Sequence, residues 1–216
     1  MNRNDDSRSV REYLDRLATC LQESSTVALE AYVDLLVDAG LHGRRVFLYG
    51  NGGSAHLAQH HAQDLVKAVA VAGGPGIRAT ALVDNVGLTT AVANDHDYSD
   101  VFVLPLRTLA DPGDVAVAIS CSGTSPNVVA AHCWAVANGL VTVAFTGAGG
   151  GAVGPASTVW VEAASAGYGA IEDTHQAMLH AAAFEVGRRL VPGGTGATLS
   201  DASVGSGEHP GGATGG

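Results

Sequence analysis

The chain has 216 residues, enough for one α/β domain plus ends. Hydrophobic residues make up 46% and aromatics only 5%, so a core is affordable but its helices must pack closely on a Val- and Ala-rich sheet. A formal charge of -10 excludes the clustered Lys and Arg of a nucleic-acid surface. It also means that any anion must be held by local amides and hydroxyls.

From Val10 to Ala39 apolar residues recur at helical spacing: Leu14, Leu17, Ala18 and Leu21, then Val27, Leu29, Tyr32, Leu35, Leu36 and Val37. This predicts an N-terminal leader of two helices, broken near Glu23-Ser24-Ser25, with Gly40 ending the second. Arg45 to Tyr49 reads as a buried strand and Ser54 to about Val71 as the helix after it, stopped by Gly73-Gly74-Pro75-Gly76. Ala79 to Val83 reads as a short strand, Leu88 to Ala93 as a short helix. Asn94-Asp95-His96-Asp97-Tyr98 is a polar cluster, after which Val101-Phe102 enters a further segment. Asp114 to Ser120 is the clearest strand, followed by a helix to about Asn138 with Gly139 at its end. Leu140 to Phe145 and Thr158 to Val161 are further strands, and a long helix spans Tyr168 to Leu190. Alternating strands and helices predict a three-layer α/β sandwich, a parallel sheet covered by helices on both faces. Residues 1–192 form one domain. The Gly-, Ser- and Thr-rich residues 193–216 lack apolar content and are expected to be a flexible tail.

Two turns carry the chemistry. Gly50-Asn51-Gly52-Gly53-Ser54 joins the first strand to its helix; its glycines allow close ligand approach, and Ser54 suits an N-cap. The turn is not a P-loop, because no Gly-Lys-Ser/Thr follows, and its glycine spacing does not fit a dinucleotide fingerprint. His60 and Asp64 follow four residues apart, on one helix face. The second turn, Ser120-Cys121-Ser122-Gly123-Thr124-Ser125-Pro126-Asn127, offers four hydroxyls and a helix start with Pro126 at its first position. Hydroxyls and helix-start amides together can wrap a phosphate without Lys or Arg. Both turns are expected at carboxyl ends of parallel strands, where open α/β sheets bind ligands.

Cys20, Cys121 and Cys133 match neither a disulfide framework nor a zinc ribbon, which fits a reducing cytoplasm. The polar N-terminus lacks a signal-peptide apolar region, and no apolar run is long enough for a membrane span. The hydroxyls around Cys121 are expected to lower its pKa. His56, His61, His96 and His132 read as surface or supporting residues. His175, near His180, is a possible lining residue.

These motifs, with Gln59-His60, Ala93-Asn94-Asp95 and Ile171-Glu172-Asp173-Thr174-His175-Gln176-Ala177-Met178-Leu179-His180, come in the order and spacing of a known family. Over residues 10 to 190 the chain resembles the sugar isomerase (SIS) domain, a flavodoxin-like sandwich, and within it the phosphoheptose isomerases. The resemblance implies a cytoplasmic, homotetrameric ketose–aldose isomerase for sedoheptulose 7-phosphate or a similar sugar phosphate, with sites at subunit interfaces and a zinc ion. It implies that Asn51, Gly52, Gly53 and Ser54 lie at the substrate. Ser120, Cys121, Ser122 and Ser125 would hold the phosphate, and Asn94 and Asp95 sugar hydroxyls. His60, Asp64, Glu172 and His180 would be metal ligands, Glu172 also touching substrate, with Asp64 the catalytic base and His180 the acid. Enediol chemistry needs such a pair independently of any resemblance.

Four positions depart from the family: Asp64 and Leu57 where it usually has Glu and Asp, Glu172 where it has Gln, and Ala68 where it has Arg, with Lys67 as a displaced substitute. Glu172 and His180 are also eight apart, about 12 Å of helix rise. A non-catalytic SIS protein binding sugar phosphates, or scaffolding a replication initiator, is the alternative. Retention of His60, Asp64 and His180 speaks against it. A SIS transcription regulator would need an added DNA-binding segment.

Overall fold

The structure is a computed structural model, and it describes residues 9–71, 73–74, 76–164 and 167–191. The predicted tail and the Gly-Pro turn's Pro75 lie outside the described residues, as does the side chain of Ala68. The elements in chain order are α1 (Val10–Glu23), α2 (Thr26–Leu41), β1 (Arg45–Tyr49), α3 (Gly53–Val71), β2 (Arg78–Ala81) and α4 (Val86–Asp95). A single 3₁₀ turn (Tyr98–Asp100) follows, then α5 (Val103–Leu109), β3 (Val115–Ser120), α6 (Pro126–Ala137), β4 (Val141–Gly147), β5 (Val159–Ala163) and α7 (Tyr168–Leu190).

All five strands are parallel, in the order β2-β1-β3-β4-β5. This is the flavodoxin-like order. Chain direction across the sheet reverses between β1 and β3, and that reversal opens a crevice at their carboxyl ends. Alternate residues feed two cores. Val46, Leu48, Val117, Ile119, Val143 and Phe145 pack on α2, α3 and α7. Phe47, Tyr49, Ala116, Ala118 and Ala144 pack on α4, α5 and α6. Because β3 is buried on both faces along its whole length, it reads as an unbroken apolar run rather than an alternating one.

The leader forms the two predicted helices, split at Ser24-Ser25. Gly40 does not end the second. It is buried inside α2, where an added Cβ would lie 2.7 Å from Leu190 Cδ1, so it lets α7 approach closely. Termination falls to Gly43 at φ 65, with Gly43 N–H donating to Gly40 O and Arg44 N–H to Ala39 O. That bonding is the Schellman pattern. Among the described residues no helix is long and apolar enough to cross a membrane.

Candidate active site

At the β1–β3 switch point the two turns meet in a cleft of about 210 Å³. Ser120, Cys121, Ser122 and Ser125 line one wall. Asn51 and Ser54 line another, and Tyr168 and Glu172 close it from the start of α7. The turns are held together by a reciprocal amide pair. Asn51 Nδ2 donates to Asn127 Oδ1 at 2.9 Å, and Asn127 Nδ2 donates to Asn51 Oδ1 at 2.8 Å. Tyr98 Oη donates to the same Asn51 oxygen at 3.1 Å. Asn127 is buried at 2% exposure; it sits one residue after Pro126 and was passed over in the sequence because only its hydroxyl neighbours suggested a ligand.

Glycine does specific work in both turns. At Gly50 a Cβ would meet Ile119 O at 2.5 Å, so β1 and β3 can close on each other there. Gly52, at φ 54, turns the chain into α3. Gly123, at φ 63, leaves room for Gly150 O, which a Cβ would approach to 2.1 Å. Ala152 N–H and Gly147 N–H then donate to Gly123 O and Cys121 O, both at 2.9 Å. The loop after β4 thus supports the serine loop through backbone alone.

Ser54 is not the expected N-cap. Helix α3 begins at Gly53, and Ser54 is buried in its first turn, hydrogen-bonded to Cys121. Nor is the Cys121 thiol acidified. Burial, and then the nearby Glu172 carboxylate, push it up to about 12, which suits a passive wall and not a nucleophile. Glu172 stands over Gly53, where an added Cβ would be 2.5 Å from its carboxyl atoms, and its Oε1 lies 4.0 Å from Cys121 Sγ. Burial, then Asp173, raise the Glu172 pKa, while nearby His56 lowers it.

A second group lies along the α3–α7 seam. His60, Asp64 and His180 bring one ligand atom each within 4.8 Å of one another. The two Nε2 atoms are 3.3 Å apart, and Asp64 Oδ2 is 3.6 Å from His60 and 3.7 Å from His180. Zinc bound tetrahedrally at 2.0–2.2 Å sets its ligand atoms about 3.3–3.6 Å apart, so the donor set fits a small divalent cation. Within this one chain Glu172, expected as a fourth ligand, is not part of the group. Gln176, which the sequence reading passed over, is: its Nε2 lies 2.9 Å from His180 Nε2. Its place, four residues from both Glu172 and His180, was the available signal.

Other expected residues fall elsewhere. Asn94 and Asp95 end α4, exposed and bonded to each other at 2.8 Å. Leu57 is in the core, so its departure from the family removes no polar group from the cleft. His61 and His132 are buried, not on the surface: His61 Nε2 pairs with Tyr32 Oη at 2.9 Å and His132 Nε2 with Ser157 Oγ at 3.0 Å. Burial holds their pKa values down to about 3 and about 4. His56 and His96 are exposed. His175 does not line the cleft. It is buried with Nε2 on Thr146 O at 3.1 Å, against Phe145.

Sheet order, switch-point cleft and serine loop together define a sugar-phosphate-binding α/β domain of the SIS type. The SIS domain family model matches residues 9–147. A phosphoheptose isomerase of Burkholderia pseudomallei (strain 1710b) is 34% identical over 175 residues, covering 81% of this chain and 88% of that protein. One of Mycobacterium tuberculosis (strain ATCC 25177 / H37Ra) is 40% identical over 154 residues, 71% of this chain and 78% of that one. The solved phosphoheptose isomerase GmhA from Neisseria gonorrhoeae superposes with a TM-score of 0.74 at 26% identity, over 82% of this chain and 93% of that one. The chain belongs to the SIS domain family, in its phosphoheptose isomerase branch, and is a sugar-phosphate isomerase.

Proposed function

We propose that the chain interconverts sedoheptulose 7-phosphate, or a similar seven- or eight-carbon ketose phosphate, with the corresponding aldose phosphate through an enediol. The observation that carries this is the shared seam: α3 and α7 border the serine-lined cleft at one end and join His60, Asp64 and His180 further along. A phosphate held by the Ser120, Ser122 and Ser125 hydroxyls leaves the rest of an extended sugar to run past Asn51 and Glu172 toward the cluster. Glu172, whose pKa is raised by burial and then by Asp173, stands where its carboxyl oxygens can accept hydrogen bonds from sugar hydroxyls.

In this reading Asp64 takes the proton from one of the two reacting carbons and returns it to the other. Its Oδ2 faces the imidazoles, so Oδ1 is the atom that carries the proton. His180 exchanges a proton with the carbonyl oxygen only while its Nε2 holds no metal. His60, Asp64 and His180 would hold a zinc ion, which when bound polarises the substrate oxygens. The reading includes a cytoplasmic homotetramer with sites at subunit interfaces, where the exposed Asn94 and Asp95 would reach sugar hydroxyls of a neighbouring site.

The test is incubation of the metal-loaded protein with sedoheptulose 7-phosphate while aldose formation is followed. Turnover that disappears in Asp64→Asn and in His180→Ala supports the proposal. Tight binding without turnover in the intact chain would favour the scaffold alternative, which gives no reason for three ligating side chains to converge.

A further inference from the structure

The loop that backs the serine turn has almost no side chains of its own to hold it in place. Gly147-Ala148-Gly149-Gly150-Gly151 closes β4, and Gly149, Gly150 and Gly151 stand in succession at φ 83, 67 and 56. This left-handed run touches the serine loop directly. A Cβ on Gly151 would lie 2.4 Å from Ser122 O, as one on Gly123 would lie 2.1 Å from Gly150 O. Where the run sits therefore decides where Ser122 and Gly123 sit. A glycine run is free to take many other paths, so its position has to be set from outside.

Strand β5 does this with two residues. Trp160 and Glu162 are two apart, on one side of the strand, while Val161 and Ala163 are buried on the other. The half-buried Trp160 indole lies against the loop: a Cβ on Gly150 would be 2.5 Å from its Cζ2, and one on Gly154 2.8 Å from its Cε2. Gly154 N–H donates to Gly150 O at 2.9 Å, so the ring rests on a closed turn of chain. The ring is itself pinned. Its Nε1 donates to Thr146 Oγ1 at 2.7 Å, and that buried hydroxyl donates to Gly147 O at 2.9 Å. Glu162 Oε2 accepts from Gly149 N–H at 3.3 Å. Neither Trp160, Glu162 nor Thr146 lines the cleft.

We propose that Trp160, pinned by Thr146, is a positioning residue for the phosphate. Its indole wedges the glycine run against Ser122 and Gly123, and so sets the hydroxyls and amides of the serine loop at the spacing a phosphate needs. The inference rests on the phosphate-binding part of the function proposed above; it requires neither the metal nor the proton transfer. A tryptophan that only filled space would stabilise the fold and leave phosphate affinity alone.

The full chain, without added metal, is titrated calorimetrically with inorganic phosphate, and KM and kcat for the ketose phosphate are read on the metal-loaded form. Trp160→Leu is expected to weaken phosphate about tenfold and to raise KM by a similar factor, with kcat within about twofold of the parent. Thr146→Val keeps the shape and frees the indole, and should weaken phosphate about three- to tenfold. Thr146→Ser restores the hydroxyl and should return the affinity to within about twofold of the parent. Should Trp160→Leu fail to fold, the Thr146 pair decides alone. A Trp160→Leu chain that melts earlier yet binds phosphate as the parent does overturns the proposal, as does a Thr146→Ser chain no different from Thr146→Val. A parent that binds no inorganic phosphate removes the premise and the proposal together. The expected phosphate pattern without isomerisation would sink the reaction and leave the role of Trp160 standing.

Discussion

The cleft and the cluster, though borne on the same pair of helices, are built in opposite ways. The cleft is a backbone construction: two turns at strand ends, glycines where an added Cβ would lie within 3 Å of neighbouring backbone, and an amide pair that locks Asn51 to Asn127. The cluster is a side-chain construction. Its atoms come from residues 116 positions apart, from Asp64 to His180, and meet only because α3 packs along α7. The first kind of site is rigid and shaped before ligand arrives; the second depends on the spacing of two helices and on the length of each side chain. In the proposed function, phosphate would be recognised where geometry is fixed by the sheet, and the proton would move where a methylene more or less changes the distance.

The largest effect should come from the cluster. Asp64→Asn keeps the shape and removes the base, and a loss of about 10²–10⁴ in kcat is expected, read as aldose formation from the ketose phosphate, with the substrate KM little changed. If KM rises and kcat holds, Asp64 is a binding residue and the division between the two regions is wrong.

The cleft should fail differently, through stability and KM. Gly123→Ala puts a Cβ on a left-handed residue against Gly150 O, at a cost of roughly 2–4 kcal/mol. A fall in melting temperature together with a raised KM is expected. An unchanged melting temperature would mean that the loop after β4 yields and is no support. Asn127→Leu is gentler. It takes both Asn127 hydrogen bonds from the half-buried Asn51 amide, at about 1 kcal/mol, and should raise KM about tenfold while leaving Zn²⁺ affinity unchanged. A loss of metal affinity in that variant would couple the two regions and break the comparison.

The sequence disclosed the backbone site far better than the side-chain site. Strand β1 and helix α7 begin and end at the residues expected, because glycines and apolar runs punctuate them. The helix α5 escaped notice: it is one short element with Pro105 in its first turn, where proline is tolerated but removes the usual pattern. Gly40 was misjudged because a helix-ending glycine and a packing glycine look alike until the partner, here Leu190, is known. The Cys121 thiol was misjudged for a similar reason, since its neighbours in sequence are hydroxyls but in the fold it is buried and, secondly, faces Glu172. His60 and Asp64 could be paired from their spacing on α3. The contact of Gln176 with His180 depends on the rotation of α7 about its axis, which only packing reveals.

The smallest effect expected comes from a buried histidine that belongs to neither region, packed between α7 and β4. His175 is fully buried on α7, with Nε2 on Thr146 O and no partner for Nδ1 among the described residues. Nε2 must be the protonated nitrogen, since a carbonyl only accepts. Burial depresses its pKa from 6.5 to about 4. The unfolded chain therefore takes up this proton near pH 6.5 while the folded chain refuses it until about pH 4. The contribution to stability is complete above pH 6.5 and is lost as the pH falls through that window. From this group alone the loss is about 0.8 kcal/mol at pH 6. Urea midpoints of the parent and of His175→Phe, which keeps a ring against Phe145 but cannot titrate, should diverge less as the pH drops from 7 to 5. The parent loses up to about 1.4 kcal/mol per pH unit from this proton and the variant does not. Parallel curves would mean that His175 titrates normally and reaches solvent.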